Sequence, residues 1–280
     1  MVGTLLAVVM IAGAGWWFLL RDDPPPPPDL VSAAQVAAAA QSTTVAPTTT
    51  TVAPTTTTVA PTTTAAACWS CAYEEAPTTS VQASTTTVVH DETGNVDSDD
   101  ASGTWSVDTT IGEFGIDEAS GTFVGFRVKE VLGQGIGSAT AVGRTPLVLG
   151  IVKIDGTTLI AAEIVADLTG LRTDRSMRDS RVQDALNTGV HPEATFVLAG
   201  PVDLGEGRQV QVPAPGSLTI NGVTNMVTVD LAAELVGRIL AVVGTTDVVF
   251  ADYDVEAPTA PVVVSVEDHG IVEIQLFLLR

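Results

Sequence analysis

The chain has 280 residues, with 12 Lys and Arg against 33 Asp and Glu and a formal net charge of −21. That length supports one or two domains with a core of their own, and so acidic a balance excludes general binding to phosphate backbones. Two cysteines exclude a disulfide framework, and His90, His191 and His269, far apart and without an HxH or HxxxH pair, give no conventional zinc set.

Thr4 to Leu20 is an uncharged apolar run closed by Arg21-Asp22-Asp23. At ~1.5 Å per residue it reaches about 25 Å, the short end for crossing a bilayer. Trp16 and Trp17 suit an interfacial position. Ala12-Gly13-Ala14 imitates a cleavage site, but the bulky stretch Trp16 to Leu20 would then remain on the mature chain. Residues 1–21 therefore read as an uncleaved transmembrane anchor, with a cleaved signal as the alternative. Arg21 alone votes for the opposite orientation. The export-type composition that follows decides for a single-pass protein of the cell membrane with its C-terminal bulk extracytoplasmic.

Residues 22–102 read as a disordered linker. Pro24 to Pro28 form a stiff polyproline start, followed by a seven-residue repeat, Val45-Ala46-Pro47-Thr48-Thr49-Thr50-Thr51 and again Val52 to Thr58. A proline in each unit forbids a coiled coil. Such a tract fits either an O-glycosylated stalk or an unmodified spacer, and neither buries enough apolar area to offset ordering entropy. Within it, Cys68-Trp69-Ser70-Cys71 lacks the packed flanks of a redox site and a second ligand pair for zinc. A passive local disulfide, or a contact between chains, fits best.

Residues 103–280 read as the folded domain. They hold 23 acids and 11 bases and are acidic in their own right. Val272, Ile274, Leu276 and Leu278 alternate with Glu273, Gln275 and Phe277; Ile164, Ala166 and Leu168, and Val227, Val229, Leu231 and Ala233, alternate in the same way. Period two means strands with one buried face. Asp155-Gly156 and Asn221-Gly222 are hairpin dipeptides, and the good helical candidate is short, around Ser176 to Leu186. Many strands and little helix imply an antiparallel sandwich or barrel. Leu276 to Leu279 and Thr245 to Phe250 are apolar on both faces, which a helix, a second sheet or a lipid-filled interior would explain equally.

Catalytic signatures are absent. Gly133-Gln134-Gly135-Ile136-Gly137 lacks a dinucleotide-binding frame, and acid pairs such as Asp252/Asp254 and Glu267/Asp268 read as solvated loop charges. The densest polar cluster, Arg172 to Arg181, holds four of the domain's bases. Asp174 and Arg178 would pair along a short helix. The cluster is either a salt-bridged lid or a cationic rim that receives a headgroup.

Five stretches, taken in order, resemble the YceI family of lipid- or polyisoprenoid-binding proteins. They are Trp105-Ser106-Val107-Asp108; Phe126-Arg127-Val128-Lys129; Thr173 with Arg178-Asp179; His191-Pro192-Glu193-Ala194-Thr195-Phe196; and Gly216 to Thr224. The ordered set is specific, although no single motif is. The resemblance implies an all-β, eight-stranded antiparallel, lipocalin-like barrel with one short helix and an apolar tunnel for an isoprenoid chain. It implies a binder or carrier, not an enzyme, and no cofactor. Three positions depart from the family pattern. Glu130 stands where members often carry histidine, Arg181 lies near where another histidine follows the Arg-Asp pair, and Asn225-Met226 replaces a basic-proline pair.

On that reading Phe123 or Phe126, Val128, Phe196 and Val229 line the tunnel. Phe123 and Phe126 differ in parity, so both point inward only if Gly125 marks a bulge. Arg178 meets an anionic headgroup while Asp179 holds a hydrogen bond in the lid. The expected partners are an isoprenoid lipid of quinone or polyprenyl type, the membrane through the N-terminal helix, and a second copy of the chain; nucleic acid is not among them. The alternative is a surface-display or adhesion module with a filled barrel, which large inward aliphatics would favour over small alanines and glycines.

Overall fold

Residues whose side chains alternate in polarity form almost every wall of the molecule. The computed structural model describes residues 24–42, 100–132, 137–258 and 263–280. All strand pairings among them are antiparallel. β1 (Gly103–Asp108) and β2 (Phe123–Leu132) lie end to end along β13 (His269–Leu279), with Asp108 opposite Phe277 and Phe123 opposite Gln275. β3 (Gly137–Thr145) and β4 (Val148–Asp155) likewise make one long stave, β3 against β2 and β4 against β1. Around the barrel follow β5 (Thr158–Asp167), β7 (Glu193–Leu198), β9 (Gln209–Ile220), β10 (Val223–Val236) and β11 (Ile239–Val249), which pairs with β13. β6 (Arg172–Thr173), β8 (Val202–Asp203) and β12 (Val263–Val266) are short flanking pieces. Counted as staves, this is a closed antiparallel barrel of eight strands.

Turn chemistry fixes the register. Asn221 and Gly222 sit at φ 51° and 75° between Ile220 and Val223, the left-handed pair that a two-residue hairpin turn requires. The β4–β5 turn, with Gly156 at φ 57°, and the β10–β11 turn, with Gly237 at φ 53°, lie at one end with the C-terminus. We call this end the base. The opposite end, the cap, carries the β9–β10 turn and the helix α2 (Asp179–Ala185), which a single 3₁₀ turn, Ser176–Arg178, precedes. The short helix therefore forms where the sequence places it.

The first part of the predicted linker is folded. Leu30–Ser42 is a helix, α1, with Asp29 at its N-cap: the Ser32 amide and hydroxyl each donate to Asp29 Oδ2 at 3.0 Å. Leu30, Ala33 and Ala37 are buried against Ile239, Ala241, Val243 and Phe277 on the outside of the barrel, together with Ile111 from the excursion between β1 and β2. The spacing i, i+3, i+7 is one helical face, and it supplies the apolar burial that a disordered reading assumes is missing.

Upstream of α1, the proline segment lies on a buried ion cluster. Glu273, fully buried, accepts from Arg127 Nε at 2.6 Å and from Arg144 Nε at 2.8 Å. Arg144 Nη2 then donates to the Pro26 carbonyl at 2.6 Å, and Arg127 Nη2 to that of Pro25. Proline has no N–H, so the segment offers acceptors to the guanidinium groups without stranding donors of its own. The apolar stretch Leu276 to Leu279 is thereby explained: even residues of β13 face the lumen, while Glu273, Gln275 and Phe277 are covered by this strap and by residues 109–122.

Among the described residues no helix is long and apolar enough to cross a membrane. The apolar run 4–20, the threonine repeat, Cys68, Cys71, His90 and the glycine run 133–136 lie outside the described residues.

Candidate functional site

The inward faces of the staves do not meet. They enclose a cavity of about 560 Å³ that reaches from Ala101, Gly156 and Arg208 at the base to Val182, Leu186 and Val266 at the cap. That volume lies within the ~300–1,000 Å³ of ligand-binding clefts. Small inward residues keep it open, among them Ala141, Ala162, Ala166, Ala194 and Ala233. A filled barrel is therefore not what this sequence builds.

Strand parity decides which expected residues face the lumen. Phe126, Val128, Phe196 and Val229 do, and Arg178 joins them at the cap. Phe123 does not. The register runs unbroken through Gly125, with Val124 opposite Thr145 and Phe126 opposite Gly143, so there is no bulge to turn Phe123 inward. Its ring lies instead on the outer face, 4.4 Å beneath the Arg144 guanidinium, where it helps seat the ion cluster under the strap.

The two lining phenylalanines lie close over strand glycines. A Cβ on Gly143 would stand 2.4 Å from the Phe126 ring, and one on Gly216 would stand 2.4 Å from the Phe196 ring. Each ring occupies the space a neighbouring side chain would take, and so lies along the wall instead of across the lumen.

Polar groups gather at the cap. Arg178 Nη2 meets Glu130 Oε2 at 2.7 Å and Nη1 meets Asp174 Oδ1 at 2.9 Å, the second being the pair that the helical spacing predicts. Asp179 Oδ1 accepts from the Thr173 amide at 2.8 Å and hydroxyl at 2.7 Å, and so ties the start of α2 to β6. Val182, Ala185 and Leu186 on and beside α2 complete the cavity wall. Glu130 is thus the inward partner of Arg178.

Burial pushes the Glu130 carboxyl above its ordinary value of 4.5, and Arg178 pulls it partly back. A raised carboxylate pKa means the folded state binds more protons than the unfolded one between the two values. Stability then falls as pH rises through that window. Replacing Arg178 with alanine removes the opposing cation, so the carboxyl rises further. The fall in melting temperature between pH 4.5 and neutrality is expected to be steeper in Arg178→Ala than in the parent. Parallel melting curves across that range would disprove the pairing.

Sequence reading missed Tyr253, since an isolated tyrosine in a polar loop has no periodicity to mark it. It follows β11 in a 3₁₀ turn, lines the cavity and is buried. Its hydroxyl has no hydrogen-bond partner among the described residues, and the Asn225 amide donates instead to the Asp252 carbonyl at 2.6 Å. Burial, reinforced by the Asp252 charge, raises its pKa, and the nearby Asn225 side chain offsets part of that rise. No three His, Cys, Asp or Glu side chains among the described residues converge as a metal set.

Several solved structures align with this chain. A polyisoprenoid-binding domain from Saccharophagus degradans, implicated in plant cell wall breakdown, aligns at 19% identity and a TM-score of 0.47, over 62% of this chain and 97% of its own. Burkholderia cenocepacia BcnA aligns at 21% identity and 0.43, over 54% and 95%. The Campylobacter jejuni YceI protein aligns at 15% identity and 0.42, over 49% and 84%. Comparison with curated proteins gives no match. The model of the YceI-like domain matches residues 51–278, well over half the chain. With that match and the ordered motifs along the barrel, the chain belongs to the YceI-like family.

Proposed function

We propose that this protein holds an isoprenoid lipid in the barrel cavity, outside the cytoplasm, and that its N-terminal apolar run tethers it to the membrane. The observation that carries the reading is the apolar lumen running from base to cap. Withdrawing a prenyl chain from water contributes roughly 0.8 kcal/mol per methylene, so affinity needs area and no catalytic constellation. Binding, not turnover, is the activity.

The cap chemistry narrows the headgroup. Arg178 already faces two carboxylates, Glu130 and Asp174, so a phosphate beside it would meet a charge that is spent and two that repel it, and would have only the exposed Arg181 at the cavity mouth to turn to. A neutral ring with hydrogen-bond acceptors, as in a quinone, avoids that repulsion and can accept from the buried Tyr253 hydroxyl. The quinone class is therefore favoured over polyprenyl phosphates.

Native mass spectrometry of the full chain, purified from membranes and supplied with a prenylated quinone or a polyprenyl phosphate, tests the proposal. One quinone mass per chain is expected, with the phosphate bound more weakly. Ala233→Phe, which projects into the lumen, displaces about two methylenes and weakens uptake roughly tenfold. A parent chain that takes up neither lipid would refute the carrier reading, and preferential phosphate uptake would refute the headgroup assignment.

A further inference from the structure

We infer that the cap end of the barrel faces the bilayer and that lipid enters the cavity there, directly from the membrane. The inference rests on the anchor proposed above, and its first support is the direction of the strap. Pro25 and Pro26 are held at Arg127, Arg144 and Glu273, and Glu273 lies only four positions from the cap-side start of β13. Gln41 donates to the Val236 carbonyl at the β10–β11 turn, on the base. The strap thus descends from cap side to base, and the chain before Pro24 joins it on the cap side.

Length fixes the proximity. Only Arg21, Asp22 and Asp23 separate Leu20 from Pro24. The four Cα–Cα steps from Leu20 to Pro24 span at most about 14 Å when fully extended. The threonine-rich tract adds nothing to this reach, because both its flanks are fixed at the base. Gln41 is held there, and Asp100 accepts from Arg280 Nη2 at 2.8 Å beside the Ile239–Leu279 pair. The described residues that flank 43–99 are thus both at the base.

The cap surface matches a lipid interface. Met177 is 81% exposed in the 3₁₀ turn before α2, Val264 is 70% exposed on β12, and Val190 is 67% exposed after α2. Arg172 and Arg181 are exposed in the same region. Exposed acids, Asp184, Glu193, Asp252, Asp254 and Asp268, stand at the same end, so it is the apolar tips and not net charge that suit insertion at the boundary between headgroups and acyl chains. Directly behind them, Val182 and Leu186 are cavity wall, so a lipid crossing at α2 exchanges one apolar medium for another.

A second exposed apolar stripe, Leu149 and Ile151 on β4 with Ile160 on β5, runs along the side of the barrel. β4 continues the stave of β3, which carries Arg144, two staves from β13, but the stripe lies beyond Arg144 on the way to the base, away from the end at which the strap begins.

The test uses the full chain with Cys68→Ser and Cys71→Ser, labelled with bimane at Met177→Cys, Asp155→Cys or Leu149→Cys. Each is reconstituted in phosphatidylcholine–phosphatidylglycerol vesicles with or without brominated acyl chains. The label at Met177 is expected to lose about half its fluorescence to the bromines, as for a side chain ~5–10 Å into the interface, while those at Asp155 and Leu149 stay bright. Flotation is read on the same samples. A chain that fails to float with the vesicles overturns the anchor and this orientation together. A chain that floats with Asp155 or Leu149 quenched instead, or with all three bright, overturns the orientation alone.

Discussion

Expressed from Gly103 onward, the barrel is expected to melt on the order of 10–20 °C below the full chain and to bind a hydrophobic dye in its native state. The cut removes α1 and the proline segment, and it uncovers Ile239, Ala241, Val243 and Phe277 on the outer wall. Burial of Leu30, Ala33 and Ala37 is set against the entropy of ordering the strap. What remains is the pair of bonds from Arg127 and Arg144 to the Pro25 and Pro26 carbonyls, together with those that Trp105 and Arg280 make to the carbonyls of residues 100–102. Hydrogen bonds to charged groups contribute about 1.5–3 kcal/mol each. At roughly 2–4 °C per kcal/mol for a domain of this size, the loss is measurable by calorimetry. Replacing residues 43–99 with a short Gly/Ser link should leave the melting temperature within a few degrees, since shortening a closed loop costs little. Equal melting of the Gly103 fragment and the full chain would show that the strap is not part of the fold.

The expected loss of stability would move the start of the folded unit to Pro24 and change the meaning of the threonine-rich tract. A stalk between anchor and barrel would hold the binding site away from the bilayer. A segment whose two flanks both sit on the base is free to vary in length without moving the barrel. Under the proposed anchor, the separation of barrel and bilayer would then depend on Arg21 to Asp23 and on the strap.

How much was legible in the sequence follows from which signals are local. The parities of Val272–Leu278, Ile164–Leu168 and Val227–Ala233 are right because period two is fixed by the strand backbone itself. Asn221-Gly222 is right because few other dipeptides tolerate two positive φ values. Phe123 was misplaced for a non-local reason. Parity can be read from sequence, but the absence of a bulge at Gly125 is set by β3 and β13. The strap was missed although Asp29 and the 30, 33, 37 spacing mark a capped amphipathic helix, because its burial depends on strands some 200 residues away. Composition averaged over 22–102 hid it. Arg127, Arg144 and Glu273 gave no signal either, since only the barrel's closure brings β2, β3 and β13 together.

Glu273→Ala is the single substitution expected to damage the protein most. The parent cluster places one carboxylate between two guanidinium groups on a wall where Glu273 is fully buried and Arg144 nearly so. Removing the acid leaves two cations facing each other with only carbonyl dipoles, from Ile116, Pro25 and Pro26, to answer them. Breaking a buried pair in this way costs about 3–5 kcal/mol, so the melting temperature should fall by roughly 10–15 °C. The same substitution should loosen the strap, because Glu273 aims both guanidinium groups at the proline carbonyls. Amide exchange in Leu30–Ser42 is expected to quicken in Glu273→Ala before the barrel strands exchange. Replacing the cluster with apolar residues, Glu273→Leu with Arg127→Leu and Arg144→Met, should recover much of the barrel's stability, since well-packed apolar replacements of buried ion groups are often neutral. It should not recover protection of α1, which loses its carbonyl partners. If α1 is as protected in that variant as in the parent, the helix holds the strap by apolar packing alone, and the arginines serve only the barrel.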